Sequence, residues 1–311
     1  MSITGLVILL LAGDSLVRGA VNLGLRLGIP ALIISLTVVA LGTSAPELLI
    51  AIKAMLQGSP GIAIGNVVGS NTANILLVLG LPALLAGINA AHCESRKTYS
   101  FMLATTLVFI VMCFLGPLQV WHGIVLLALL AALLTESFFS ARRAQRAVEH
   151  LSDIEDLEAA DPQMRGWKIA LFMVLGLIGL PLGADLLVEG SISIARHFGL
   201  SEAVIGLTLI AVGTSLPELA TTLVAALRRH ADVALGNAIG SNMFNILGIM
   251  GVASLFGPLH IPTEILNFDL WVMLGSSLIL VPFVFWRINI SRVWGAVLTV
   301  FYALYIVLLL S

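Results

Sequence analysis

Two glutamates, Glu47 and Glu218, lie deep inside apolar stretches, and each is surrounded by hydroxyls, amides, glycines and a proline in the same order. The first neighbourhood runs from Gly42 to Asn74, GTSAPELLIAIKAMLQGSPGIAIGNVVGSNTAN. The second runs from Gly213 to Asn245, GTSLPELATTLVAALRRHADVALGNAIGSNMFN, and aligns with the first without a gap at a constant offset of 171 residues. A carboxylate at mid-bilayer depth is costly unless it is paired, hydrated or bound to a cation. No Lys or Arg sits at a matching depth to neutralise both acids: Lys53 lies further along, towards the helix end, and its counterpart is Val224. A mobile cation is the simplest counter-charge. Protonation of both acids would also remove the charge, but it leaves the duplication of the oxygens around them without a reason.

Those oxygens fall into sets. Thr43 and Glu47 are four residues apart and share a helix face, as do Thr214 and Glu218. Pro46 has no N–H, so the carbonyl of Gly42 loses its helical partner, and Pro217 does the same to Gly213. Both spans are therefore predicted to break near their middles, and unwound backbone at that depth is tolerated only where it lines a cavity or a site. In the following span Asn66, Ser70 and Asn74 fall on one face, and Asn237, Ser241 and Asn245 repeat them. Gly65 and Gly69, with Gly236 and Gly240, let helices approach closely. Asn66, Asn237, Asn71 and Asn242 are expected to bond between helices, whereas Ser70, Ser241, Asn74 and Asn245 are candidate ligands. The sum is two carboxylates, hydroxyls, amide oxygens and freed carbonyls, without thiol or imidazole. An all-oxygen set suits hard cations such as Na⁺ or Ca²⁺, the latter taking about 6–8 oxygens. Two carboxylates neutralise one Ca²⁺ or are overfilled by more than two Na⁺.

The elements that must position these groups are apolar. Hydrophobic residues make up 59% of the chain and charged residues 10%, against roughly 25% charged in soluble domains, so the chain is read as an all-α integral membrane protein in a lipid bilayer. A formal net charge of −2 gives no reason to expect a nucleic-acid partner. Cys93 and Cys113 read as packing residues, and neither they nor the six scattered His suggest a metal site or a resident cofactor.

Ten hydrophobic stretches meet the requirement of about 20 residues per crossing: 3–23, 30–56, 62–86, 99–116, 121–140, 167–190, 201–227, 232–256, 269–286 and 292–310. Asp14 in the first aligns with Asp185 in the sixth, so the first is retained rather than cleaved as a leader. Both Asp are expected to be structural or vestibule groups, Asp14 pairing with Arg18. Five spans (1–140) precede the polar stretch 141–166 and five (167–311) follow it. Five is odd, so the second half enters from the opposite face and the repeat is inverted. With the N-terminus outside, twelve Lys and Arg fall on the inside and only Arg196 on the other side, which places both termini outside and 141–166 in the cytosol. That stretch lacks the ligand spacing of an EF-hand and is expected to be a solvated linker.

Two copies of Gly-Thr-Ser-x-Pro-Glu, each followed by Gly-Asn-x-x-Gly-Ser-Asn-x-x-Asn, resemble the two α-repeats of the sodium/calcium exchangers within the cation/calcium exchanger superfamily. The resemblance extends over the whole chain and implies a site at the centre of four helices. By position, Glu47 and Glu218 would bind Ca²⁺ and Na⁺. Thr43 and Thr214 would add hydroxyl and backbone oxygens. Ser70 and Ser241 would serve flanking Na⁺ sites with the carbonyls of Ala40 and Ala211. Ser44 and Ser215 would line the site with Gly42, Gly213, Pro46 and Pro217, and Asn74 and Asn245 would sit beside its centre. Some members of the family carry Asp at one of these last two positions; here both are Asn, leaving two central carboxylates. The implied activity is antiport of Ca²⁺ against Na⁺ by a monomer in the cell membrane, with H⁺ as the alternative counter-ion. A cation channel fits less well, because pores usually carry symmetric ligand rings. An enzyme fits least, because no His or Lys base stands in the motifs.

Overall fold

The computed structural model of the chain describes residues 2–27, 29, 31–93, 95–148, 164–197 and 211–310. Among these, regular structure is helical apart from two isolated antiparallel bridges, Ile88 with Ile290 and Leu118 with Leu259. Eight helices are long and apolar enough to cross a membrane: Ile3–Leu27, Pro60–Ala86, Arg96–Phe114, Val120–Ser140, Gly166–Leu186, Ala231–Phe256, Ile265–Phe285 and Arg292–Leu309. A ninth arises if the pair Ser35–Thr43 and Ala45–Leu56, bent by 49°, is one span. The span expected over 201–227 lies partly outside the described residues; its described part is Ala211–Thr214 followed by Leu216–Leu227.

We label the helices used below α1 (Ser2–Leu27), α2 (Ala31–Ile34), α3 (Ala40–Thr43), α4 (Ala45–Leu56), α5 (Pro60–Ala73), α6 (Gly80–Ala86), α7 (Arg96–Phe114), α8 (Val120–Val148), α9 (Gly166–His197), α10 (Ala211–Thr214), α11 (Leu216–Leu227) and α12 (Ala231–Phe244). Helix α8 runs past its apolar stretch because residues 141–148 are mostly Ala, Arg and Gln, all good helix formers. Of the expected linker, 149–163 lie outside the described residues.

Helices α1 and α9 pack side by side. Gly176, Gly179 and Gly183 of α9 face Leu16, Ala12 and Leu9 of α1 so closely that a Cβ on any of them would come within 2.6–2.8 Å of its neighbour. In lipid no hydrophobic drive brings helices together, so small residues that allow close backbone approach do that work. The spans built on α5 and α12 lie at the centre: 78% of each is buried, against 11% for α8 at the periphery. Both central helices pass directly into a π-helical turn at the same aligned position, Asn74–Val78 and Asn245–Ile249.

Candidate ion-binding site

Each glutamate owes its position to a one-residue helix break. Ser44 (φ −84°, ψ 6°) separates α3 from α4, and Ser215 (φ −88°, ψ 5°) separates α10 from α11. Pro46 and Pro217 fall in the first two positions of the new helices, where a missing N–H leaves no bond unmade. Glu47 and Glu218 therefore sit in first turns, where the unsatisfied N–H groups and the helix dipole favour negative charge. The break is tighter than the unwinding expected from the sequence. The Ser44 N–H still reaches the Ala40 carbonyl (3.0 Å), and the Thr43 hydroxyl lies 3.3 Å from that same oxygen.

The kink also ends helical register, so Thr43 and Glu47 do not form a local pair. The hydroxyls of each half serve the acid of the other. Ser44 Oγ donates to Glu218 Oε1 at 3.1 Å, and the Thr43 hydroxyl, which lies 3.4 Å from Asn237 Oδ1, stands beside the same carboxylate. In the opposite sense the Thr214 hydroxyl bonds Glu47. Both acids are 1% exposed and within electrostatic reach of each other. Among the described residues no cation-bearing side chain appears among their hydrogen-bond or ion-pair partners; Lys53 is exposed.

The central helices hold the backbone of these breaks. Asn66 Nδ2 donates to the Glu47 carbonyl (3.4 Å), and Asn237 Nδ2 donates to the Glu218 carbonyl (3.2 Å) and to Thr222 Oγ1 (3.1 Å). Asn71 and Asn242 bond each other's backbone carbonyls, at 3.4 and 3.3 Å. Asn74 Nδ2 donates to Asn242 Oδ1 (3.0 Å), and Asn245 Nδ2 donates to Asn71 Oδ1 (3.1 Å). Ser70 and Ser241 are buried beside them.

Unsatisfied atoms concentrate here. Glu47 Oε2, Glu218 Oε2, Asn74 Oδ1, Asn245 Oδ1, Ser215 Oγ and Ser241 Oγ are buried without a hydrogen-bond partner; elsewhere among the described residues only His122 Nε2 shares that condition, Arg18 Nε lying 2.9 Å from an Asp14 carboxylate oxygen. Buried polar atoms are nearly always satisfied, so bare oxygens at the aligned pairs Glu47/Glu218 and Asn74/Asn245, with two serine hydroxyls of the second half, call for a ligand. Two carboxylates, two amide oxygens and two hydroxyls form a hard, oxygen-only set suited to an alkali or alkaline-earth cation. No group of three or more His, Cys, Asp or Glu occurs among the described residues, so the only acids in the cluster are the two glutamates.

Other residues fall away from the site. Asp14 pairs with Arg18 at 2.9 Å, as expected, and also with Arg228, a partner too far along the chain for local pattern to find. Asp269 is a buried acid that sequence reasoning passed over; its carboxylate accepts from the Tyr305 hydroxyl at 2.8 Å. An acid within an apolar span was the available signal. Cys93 and Cys113 are free and buried, whereas neighbouring Glu94 lies outside the described residues.

A family model described as "Sodium/calcium exchanger protein" matches residues 1–139 and 168–311. The sodium/calcium exchanger MaX1 of Methanosarcina acetivorans is 35% identical, over 98% of this chain and 96% of that protein. The inner membrane protein YrbG of Escherichia coli K12 is 37% identical over 89% of this chain and 85% of its own length. A solved structure of the sodium-calcium exchanger NCX_Mj, soaked with zero Na⁺ and Ca²⁺, superposes with a TM-score of 0.82 at 33% identity, covering 99% of this chain and 97% of that one.

Proposed function

The chain belongs to the sodium/calcium exchanger protein family and is a multi-pass membrane protein; from that premise we propose that it exchanges Ca²⁺ for Na⁺ across the cell membrane by alternating access. The observation that carries this reading is the set of six buried unpartnered oxygens, one each on Glu47 and Glu218 and four on Asn74, Asn245, Ser215 and Ser241. The pair would hold one Ca²⁺ or several Na⁺, with Thr43, Thr214, Ser70, Ser241, Asn74, Asn245 and the carbonyls of Ala40 and Ala211 supplying further oxygens. Ser44, Ser215, Gly42, Gly213, Pro46 and Pro217 would shape the walls. Exchange follows from charge. Two bare carboxylates are costly to enclose in low dielectric, so the empty site stays open until a cation replaces the one that left.

The proposed frame is ten spans in two inverted halves, 1–140 and 167–311, joined by a cytosolic linker at 141–166. Parity supports the tenth crossing. Ile88 pairs with Ile290 and Leu118 with Leu259, so the two loops of each pair share a membrane face. Five complete spans lie between the first pair and three between the second. Both numbers are odd, and a crossing that ends at Leu227 makes both even. The reciprocal bonds between Asn71 and Asn242 support the two-fold relation, because residue i meets j while j meets i. The close α1–α9 pair is the proposed sliding gate, in a chain acting as a monomer with both termini outside.

The test is transport by purified protein in Na⁺-loaded vesicles diluted into Na⁺-free medium with ⁴⁵Ca²⁺. Uptake is expected, and collapse of the Na⁺ gradient should abolish it while a protonophore leaves it intact. Uptake that follows a proton gradient and ignores Na⁺ would replace Na⁺ with H⁺ as the counter-ion on the same pair of acids.

A further inference from the structure

Asn71 and Asn242 stand one residue past Ser70 and Ser241, and both are 1% exposed. Each side chain carries out two tasks with two different atoms. Asn71 Nδ2 donates to the Asn242 carbonyl, while Asn71 Oδ1 accepts from Asn245 Nδ2. Asn242 Nδ2 donates to the Asn71 carbonyl, while Asn242 Oδ1 accepts from Asn74 Nδ2. Every one of these bonds crosses between the two sequence repeats, so four amides tie the central helices together.

A carboxamide is flat, with oxygen and nitrogen on opposite arms. Fixing the nitrogen fixes where the oxygen points. Asn74 and Asn245 each have the nitrogen held and the oxygen buried without a partner. Each also opens a π-helical turn, a local widening that recurs at functional sites. We propose that Asn71 and Asn242 are positioning residues for the ion site, each gripping the amide nitrogen of the other half's Asn245 or Asn74 so that its oxygen is presented to the cation. The proposal rests on the exchange function stated above. It accounts for the residue type: a carboxamide accepts from one partner and donates to another at once, Asp accepts without donating, and Leu does neither. It also accounts for Asn rather than Asp at 245, since a carboxylate there would oppose Asn71 Oδ1 with no hydrogen between them.

The experiment is a double-mutant cycle on vesicle ⁴⁵Ca²⁺ uptake, reading half-saturating Ca²⁺ separately from maximal rate. Asn71→Leu should raise half-saturation roughly 5–10-fold, the worth of one buried hydrogen bond. In an Asn245→Ala background the same change should add less than about twofold, because the oxygen it positions is gone. In an Asn74→Ala background it should keep its full effect. Asn242→Leu should show the mirror pattern, silent with Asn74→Ala and additive with Asn245→Ala. Purely structural roles would lower yield or maximal rate at unchanged half-saturation, or add in every background, and either result overturns the proposal. So does failure of both Leu variants to fold, which would assign the amides to the scaffold alone. Wild-type uptake separates the two claims: its absence counts against the exchange function, whereas normal wild-type uptake with additive cycles counts against the positioning role alone. If H⁺ proves to be the counter-ion, the same cycle is read under a proton gradient.

Discussion

The two halves carry the same motif but do not hold their acids equally. Glu218 receives the Ser44 hydroxyl on Oε1 with Thr43 beside it, while its carbonyl is held by Asn237, which is anchored a second time on Thr222. Glu47 receives the Thr214 hydroxyl, but Ser215 Oγ, the counterpart of Ser44, reaches no partner. Asn66 makes its bond to the Glu47 carbonyl at 3.4 Å and has no second anchor, because the residue aligned with Thr222 is Ala51. Two causes are mixed here. Thr222 against Ala51 is a permanent difference of sequence. Ser44 against Ser215 is a difference between identical residues, so it lies in their surroundings and not in the residue type. Under the proposed alternating access each of the two states would be asymmetric, and the serine pair is where that asymmetry would show.

The largest expected effect treats the halves as equals. Glu47→Gln and Glu218→Gln should each reduce ⁴⁵Ca²⁺ uptake to the level of empty vesicles, because each removes one of only two carboxylates that balance a divalent ion in low dielectric. Gln keeps the shape and removes a buried charge, so both variants should still purify as folded protein. Substantial transport by either variant would mean that one acid alone carries the cation, and the comparison of halves would lose its basis.

A second expectation separates conformation from sequence. Ser44→Ala removes a hydrogen bond to a carboxylate and should raise half-saturating Ca²⁺ about tenfold or more on one membrane face. Ser215→Ala should act weakly there and strongly on the opposite face, where the reversed state would bring Ser215 to Glu47. Right-side-out and inside-out vesicles measure the two faces separately. Equal effects of both variants on both faces would show that the serine asymmetry does not follow the transport cycle.

The sequence contained much of this candidate site and little of its wiring. The duplicated motif identified both acids and the central Asn and Ser residues, because polar side chains in apolar helices are conspicuous. Eight of the ten expected spans recur as apolar helices among the described residues; Arg96–Phe114 and Arg292–Leu309, for example, lie within a few residues of 99–116 and 292–310. Helix periodicity says which face a residue occupies, not which partner it meets, so the exchange of hydroxyls between halves was hidden. Periodicity also assumed an unbroken helix from Thr43 to Glu47, and the break at Ser44 ended that register. The π-helical turns at Asn74 and Asn245 left no trace in residue type. The pairing of Asp14 with Arg228 joins residues 214 positions apart, a distance that local pattern cannot span.

The smallest expected effect isolates the permanent difference. Thr222 is fully buried, and its hydroxyl gives Asn237 a second anchor at 3.1 Å. Thr222→Ala makes the second half resemble the first, in which Ala51 offers no oxygen to Asn66. One neutral hydrogen bond contributes about 1 kcal/mol, which for a chain of this size lowers the melting midpoint by roughly 2 °C. Asn237 retains its bond to the Glu218 carbonyl at 3.2 Å, so half-saturating Ca²⁺ should move by less than about twofold. Melting in detergent and vesicle uptake measure the two quantities independently. A loss of Ca²⁺ affinity as large as that of Ser44→Ala would mean that Asn237 cannot hold Glu218 without its second anchor. The looser tether on Glu47 would then be a functional difference between the halves rather than a tolerated one.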